Sequence, residues 1–507
     1  MKAKTKFLAI GIVSLSLIVL MGCPQPTADD DPADTDNFEV IDFDLNGDGT
    51  VDDGEAESVD YKVSTLIDED GDPILDEEFR QTRVIEGTFT DDVWLTDDTL
   101  WILEGAVRVG TNELLASAPA AADKATMYIE AGTEIRGRVS AQRPGALFIQ
   151  RNGRVEADGE LDFDTPSGSQ WTTTAVAGDP EPIIFTSANS VGSRAPGDWG
   201  GLVLNGYARV QGGTANGEGN SGSYGGGTTP TDTDDSGKLR YVVVQFAGTL
   251  FGADDELNGI AFQGVGSGTE VEYIQVHQNA DDGVEFFGGS VQARYIVLTG
   301  NNDDSLDADD GWNGSAQFVV IQQYSGNNSI LEMDGDATDV FAPSNAIIAN
   351  VTGIGASTDR EAGVVLKSDA EQVIYNSLFV NLGGAVDAID TSEAGAGAEL
   401  LGVVLEGTGV ELAEASDFDA TANDTTDSTN GNRWSSTADD LVTWPDTDHL
   451  DGPAFNGQPT SVDAGTAQSI PATDPHGNAL IDTSFIGAID PAATDDWTEG
   501  WTFFPEN

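Results

Sequence analysis

Carboxylates are the side chains best placed to do chemistry in this chain, and they cluster. Asp281, Asp282 and Glu285 stand within five residues, and Asp303, Asp304, Asp307, Asp309 and Asp310 follow shortly after. Asp282 and Asp304 are 22 residues apart. If the chain returns to the same corner with that period, the two carboxylates stack one strand spacing apart, ~4.8 Å. Like charges at that distance raise each other's pKa or recruit a cation. Oxygen donors without His or Cys favour calcium over a transition metal. Asp282, Glu285, Asp304 and Asp307 are therefore candidate calcium ligands. Two other readings use the same residues. The Asp side chains can accept corner backbone N–H groups, as Asx turns do. Asp281, Asp282 and Asp304, with His277 nearby, could also supply the paired carboxylates of glycoside hydrolysis. A calcium-assisted lyase would want a basic residue beside the ion, and Arg294, Arg360 and Lys367 stand isolated. The plainer role for His277 is structural, as one residue of a strand.

A second group of oxygen donors lies near the N-terminus, in Asp44-Leu-Asn-Gly-Asp-Gly-Thr-Val-Asp-Asp-Gly-Glu55. It fits the calcium-loop template D-x-[DN]-x-[DN]-G-x5-E. Asp44, Asn46 and Asp48 supply side-chain oxygens, and Thr50 supplies its carbonyl. Asp52 acts directly or through water, Glu55 is bidentate, and Gly49 permits the sharp turn. The stretch resembles EF-hand or dockerin-type loops, which implies calcium binding. No complete second loop follows. Asp68-Glu-Asp-Gly-Asp72 begins well, but Pro73 takes the glycine place and Phe79 the glutamate place.

These groups need a scaffold, and the sequence points to one. Three passages begin on aromatics at Tyr273, Tyr295 and Phe318, spaced 22 and 23 residues apart. Each runs from the aromatic through β-branched residues to an Asn/Asp turn, and a short second apolar run follows. A period in the twenties with short strands is a solenoid signature. Such strands bury a face only by stacking coil on coil. The expectation is an all-β fold, a right-handed parallel β-helix over 83–410. The Gly- and Ser-rich stretch 211–237 should be a loop projecting from one face. Residues 41–82 form a short segment carrying the calcium loop. Residues 411–507 should be irregular and end in a cap, in which Trp497, Trp501, Phe503 and Phe504 cover coil edges.

The totals set the compartment. The 507 residues carry 21 Lys+Arg against 88 Asp+Glu, a net charge of −67. Such a chain repels nucleic acid and anionic headgroups. The single cysteine, Cys23, excludes an intramolecular disulfide. Lys2, Lys4 and Lys6 precede an apolar run too short for a comfortable membrane span. Leu20-Met-Gly-Cys23 then resembles a bacterial lipobox. That resemblance implies a signal peptide over 1–22 and lipidation of Cys23. Pro24 after the cysteine favours the outer membrane over inner-membrane retention. Residues 23–40 read as a disordered acidic tether.

Gly197-Asp-Trp-Gly-Gly, Asp281-Asp-Gly-Val-Glu-Phe-Phe-Gly-Gly and Asn301-Asn-Asp-Asp-Ser-Leu-Asp resemble a group of bacterial surface-associated β-helix lipoproteins, as do Phe485-Ile-Gly-Ala and Trp497-Thr-Glu-Gly-Trp-Thr. The resemblance spans roughly 126–504 and implies fold and compartment, but brings no catalytic residues. The expected function is non-enzymatic: a calcium-stabilised β-helix displayed at the cell surface for adhesion, glycan binding or scaffolding of an envelope partner. The alternative is a carbohydrate-active enzyme, a polysaccharide lyase or glycoside hydrolase, acting through coils 281–310.

Overall fold

A computed structural model of the chain describes residues 38–40, 61–67, 74–76, 80–164, 172–252, 255–324, 327–336, 339, 341–355, 362–382, 387–406, 432–435, 467–493 and 496–504. Cys23, Arg360 and the calcium-loop residues Asp44, Asn46, Asp48, Thr50, Asp52 and Glu55 lie outside them. The main body is a 28-stranded sheet wound into a right-handed parallel β-helix. No helix among the described residues is long and apolar enough to cross a membrane.

Each central coil carries one long and one short strand. The long face stacks Gly237–Gln245, Glu270–His277, Gln292–Thr299, Ser315–Gln322 and Ile347–Ile354 in parallel register. The short face stacks Leu202–Asn205, Ile260–Gln263, Val284–Phe287, Leu306–Asp309, Leu331–Met333 and Ala362–Leu366. Side chains alternate across each strand, so every second residue enters the core. On the short face Ile260, Val284, Leu306, Leu331 and Val364 form one buried column. On the long face Val242, Ile274, Ile296, Val319 and Val351 form another. Each such side chain contributes about 1.5–3 kcal/mol on burial.

The aromatic residues that mark the period occupy the bend of the long face. Tyr241, Tyr273, Tyr295, Phe318, Asn350, Asn376 and Gly402 all have positive φ, between 46° and 69°. They share one column in the register. A left-handed conformation costs roughly 1–2 kcal/mol at a residue other than Gly, Asn or Asp. The four aromatics offset this by stacking, with ring centroids 4.5, 4.5 and 5.1 Å apart along the column.

At the N-terminal end Tyr61–Leu66 pairs antiparallel with both Gln81–Phe89 and Phe38–Val40. The parallel stacking stops there. At the other end Arg433–Ser435 adds a parallel rung beside Val404–Glu406, inside a stretch expected to be irregular.

Two segments lie elsewhere than composition suggests. The 211–237 stretch does not project; it folds down on the coils. Lys124 bonds Asp234 at 2.8 Å with both side chains at most 1% exposed, Arg154 bonds Asp235, and Arg209 bonds Asp232. Asp234 also accepts the Tyr207 N–H. Those acids carry the attraction that the polar composition hides. The aromatic tail, 467–504, does shield apolar coil surface, but along the flank of the stack, and Phe503 meets the coils by its main chain while it stays 48% exposed. An outward row of Val243, Val297 and Val320 beside the ring column needs cover, and Ala488, Ile489 and Trp501 supply it.

Candidate functional site

The acidic residues sit on the outer side of the short face. In Val284–Phe287 the valine and Phe286 point into the core, which turns Glu285 outward. The register then aligns Ala261, Glu285, Asp307, Glu332 and Val365 across successive coils. Three carboxylates in a row are thus bracketed by apolar neighbours. The corner before this strand adds Asp281 and Asp282, and the next corner adds Asp303 and Asp304. A Cβ at Gly283 would lie 2.3 Å from Asn301 Nδ2 and 2.5 Å from the Ser305 carbonyl. Only glycine lets the two acidic corners approach so closely.

The result is a continuous seam of three overlapping triads: Asp281–Asp282–Asp303, Asp282–Glu285–Asp307 and Asp304–Asp307–Glu332. In each, ligand oxygens lie within 4.8 Å of one another. Asp282, Glu285, Asp304 and Glu332 are 7, 7, 4 and 9% exposed, too covered for a polymer to reach. Asp282 and Asp304 also serve the corners. Asp282 Oδ1 accepts the Asp304 N–H at 2.9 Å, and Asp304 Oδ1 accepts the Ser329 N–H at 2.5 Å. The Asx role and the cation role therefore use the same carboxylates, since one oxygen bonds the backbone and the other is left for the seam.

Burial, followed by neighbouring carboxylates, pushes Asp282, Glu285, Asp304 and Asp307 well above the usual carboxylate range. The same causes bring Asp281 to about 7. Burial brings Asp309 to about 6. Buried anions packed this tightly need protons or a cation. Two neighbours bear on which. Asn258, 1% exposed, donates Nδ2 to Glu285 Oε2 while its Oδ1 is left without a hydrogen-bond partner. Lys367 Nζ bonds Glu332 and lies 3.8 Å from Asp334, closing the far end of the seam. Those bonds hold its ammonium above the ordinary lysine range despite partial burial, so it is a poor base.

Asp282, Glu285, Asp304 and Asp307 do meet. Asp281 joins them at the corner, while Asp309 lies one outward row further along and Asp310 bonds the Tyr224 hydroxyl. Glu332 went unremarked in the sequence. It sits inside an apolar run, 25 residues after Asp307, where an irregular coil length breaks the 22-residue pattern. His277 is engaged elsewhere. Its Nδ1 lies 2.7 Å from Thr299 Oγ1, its ring packs on Phe246 and Phe504, and burial lowers its pKa to about 3, which keeps it neutral. Arg294 is held by Glu272 on the long face.

No curated protein and no solved structure matches the chain. One protein family does, over residues 87–502, described as the pectate-lyase-like beta helix domain. That span takes in the coils, the seam and most of the flanking tail, and with it the chain belongs to the pectate-lyase-like β-helix family.

Proposed function

We propose that this protein is a non-enzymatic β-helix of the bacterial envelope whose acidic seam takes calcium. Lipid on Cys23 anchors it to the outer membrane, and the coils are displayed for adhesion, glycan binding or assembly with an envelope partner. The supporting observation is the covered seam: four carboxylates less than a tenth exposed, in triads of oxygen atoms within 4.8 Å. The donor set suits the ion, being all oxygen, with the Asn258 carbonyl oxygen still unpartnered beside Glu285. Asp282, Glu285, Asp304, Asp307 and Glu332 would hold it. The N-terminal loop Asp44–Glu55 would be a separate site on sequence grounds.

A carbohydrate-active enzyme is the second reading, and one observation favours it. Asp281 is part-exposed, has a pKa raised to about 7, and adjoins the exposed Asp303. Such an acid could exchange protons at neutral pH. Against it, Lys367, the amine that bonds the seam at Glu332, is ion-paired and held charged.

The test is bound calcium measured by equilibrium dialysis, with Asp307→Asn for the seam and Asp48→Ala for the loop. Alongside it, a panel of neutral and acidic polysaccharides is assayed for new reducing ends and unsaturated sugars. The expected result is calcium lost in part with each substitution and no cleavage of any polysaccharide. Cleavage abolished by Asp281→Asn would replace this reading with the enzyme, and calcium binding unaffected by Asp307→Asn would remove the seam site.

A further inference from the structure

The C-terminal strap runs back along the flank and is gripped by its main chain. Gln275 Nε2 donates to the Phe503 carbonyl at 3.0 Å while Gln275 Oε1 accepts the Phe503 N–H at 2.8 Å. Gln317 does the same with Ile481, at 2.7 and 3.0 Å, and Asn376 with Gln468, at 2.8 and 2.7 Å. Each pair exchanges two hydrogen bonds, as facing residues of antiparallel strands do. All three amides are fully buried. Three coils thus offer the strap a side-chain imitation of a strand edge. The grip is the same whatever side chain the strap carries at Gln468, Ile481 or Phe503.

Aromatic anchors add to it. Trp501 meets the rings of Tyr241 and Tyr273 edge-on at 5.9 Å each, and Trp497 meets Tyr295 at 5.3 Å. The strap makes little structure of its own: among its described residues there is one isolated bridge, Thr473 to Ala479, and no strand. Residues 436–466 connect it to the last rung. A chain of that length reaches at most on the order of 100 Å. The strap therefore depends on the face beneath it for its order.

We propose that this flank is a receptor for extended polypeptide that reads main chain, and that it accepts the strap of a second copy of this chain as well as its own. The partner is a second copy because the occupant seen on the face is this chain's own segment, and every contact above has the same geometry in cis and in trans. The strap of the same chain competes intramolecularly. Exchange therefore shows when the cis strap is weakened.

Two full-length variants make the test. Trp501→Ala keeps the face and weakens the strap; Gln275→Ala with Gln317→Ala keeps the strap and weakens the face. Sedimentation of each alone should give monomers, and an equimolar mixture should give dimers. A synthetic peptide with the sequence of residues 467–504 should be retained at least tenfold more by the Trp501→Ala chain than by the double variant. If Trp501→Ala leaves its strap seated, as read by limited proteolysis, Trp497→Ala is added to it. A mixture that sediments as monomers, or equal peptide retention by the two variants, overturns the proposal.

Discussion

In chelator, raising the pH should weaken this protein, and calcium should restore it only at the high end. The groups responsible are the seam acids, whose folded pKa values are raised by burial and by one another. Between the unfolded carboxylate range near 4 and the folded values, the folded state holds protons that the unfolded chain has released. Stability is therefore full below about pH 4 and declines as pH rises through the folded values. Asp309, raised from 3.8 to about 6, loses about 2–3 kcal/mol across that window at about 1.4 kcal/mol per unit. Asp281, raised to about 7, acts in the same direction. From pH 5 upward these two together lose about 4 kcal/mol, close to the lower end of the ~5–15 kcal/mol margin of a whole domain, and the four more deeply buried acids act in the same direction. At roughly 1 °C per kcal/mol for a chain of this length, the melting temperature in chelator should fall by at least about 4 °C from pH 5 to pH 8. Calcium at about 100 times its Kd returns about 2.7 kcal/mol per site, or about 3 °C at pH 8, and almost nothing at pH 4.5, where protons hold the ligands. The assay is calorimetry or circular dichroism melts of the full chain over pH 4.5–8.5. General repulsion among the surface carboxylates of a chain at −67 has the same sign. In 1 M KCl the Debye length falls to about 3 Å and removes that surface contribution, leaving the buried one. A melting temperature in chelator and high salt that is flat or rising between pH 5 and pH 7 would refute the reasoning, as would a calcium shift equal at pH 4.5 and pH 8.

Two further outcomes follow from the packing. Lys124→Met strips the partner from Asp234, a buried carboxylate, and should cost about 3–5 kcal/mol; Lys124→Met with Asp234→Leu should recover much of it, and limited proteolysis within 211–237 should report the released loop in the single variant. Tyr295→Ile places a β-branched residue at φ 60° and breaks the ring column on both sides, so chemical denaturation should show a loss of at least 2 kcal/mol, whereas Asn350→Gly, at a matching backbone position, should leave the coils intact and remove its side-chain bonds to Gln317, Thr483, Phe485 and Gly487.

The solenoid was legible because a repeated need leaves a repeated trace. Every coil must fill the same core column and turn the same corner, so Tyr273, Tyr295 and Phe318 recur at nearly constant spacing. What those aromatics do was not legible. They occupy a left-handed bend, where glycine or asparagine is the usual choice, and only the stack of neighbouring coils makes a ring acceptable there. The pairing of Asp282 with Asp304 followed from the period, and Glu332 escaped because its coil is longer. The 211–237 stretch was misplaced for another reason. Lys124 and Arg154, which hold it down together with Arg209 at its own edge, lie far upstream in the chain, and composition records no partner. The tail's aromatics announced that something apolar had to be covered, but the place depended on an outward valine row that periodicity cannot separate from the inward one.

The strap also has a consequence for length. It meets the coils of Asn376, Gln317 and Gln275 at fixed points in its own sequence, at Gln468, Ile481 and Phe503. Each coil advances the stack by about 4.8 Å. A duplicated or deleted coil between Gln275 and Asn376 would still close its own core, since solenoid coils depend only on their neighbours. It would nevertheless throw the three amides out of step with the strap. The strap therefore works as a ruler. Most solenoids can gain or lose a repeat by a local change, but in this one the count of coils along the flank is written a second time, in the last forty residues, and the two must change together.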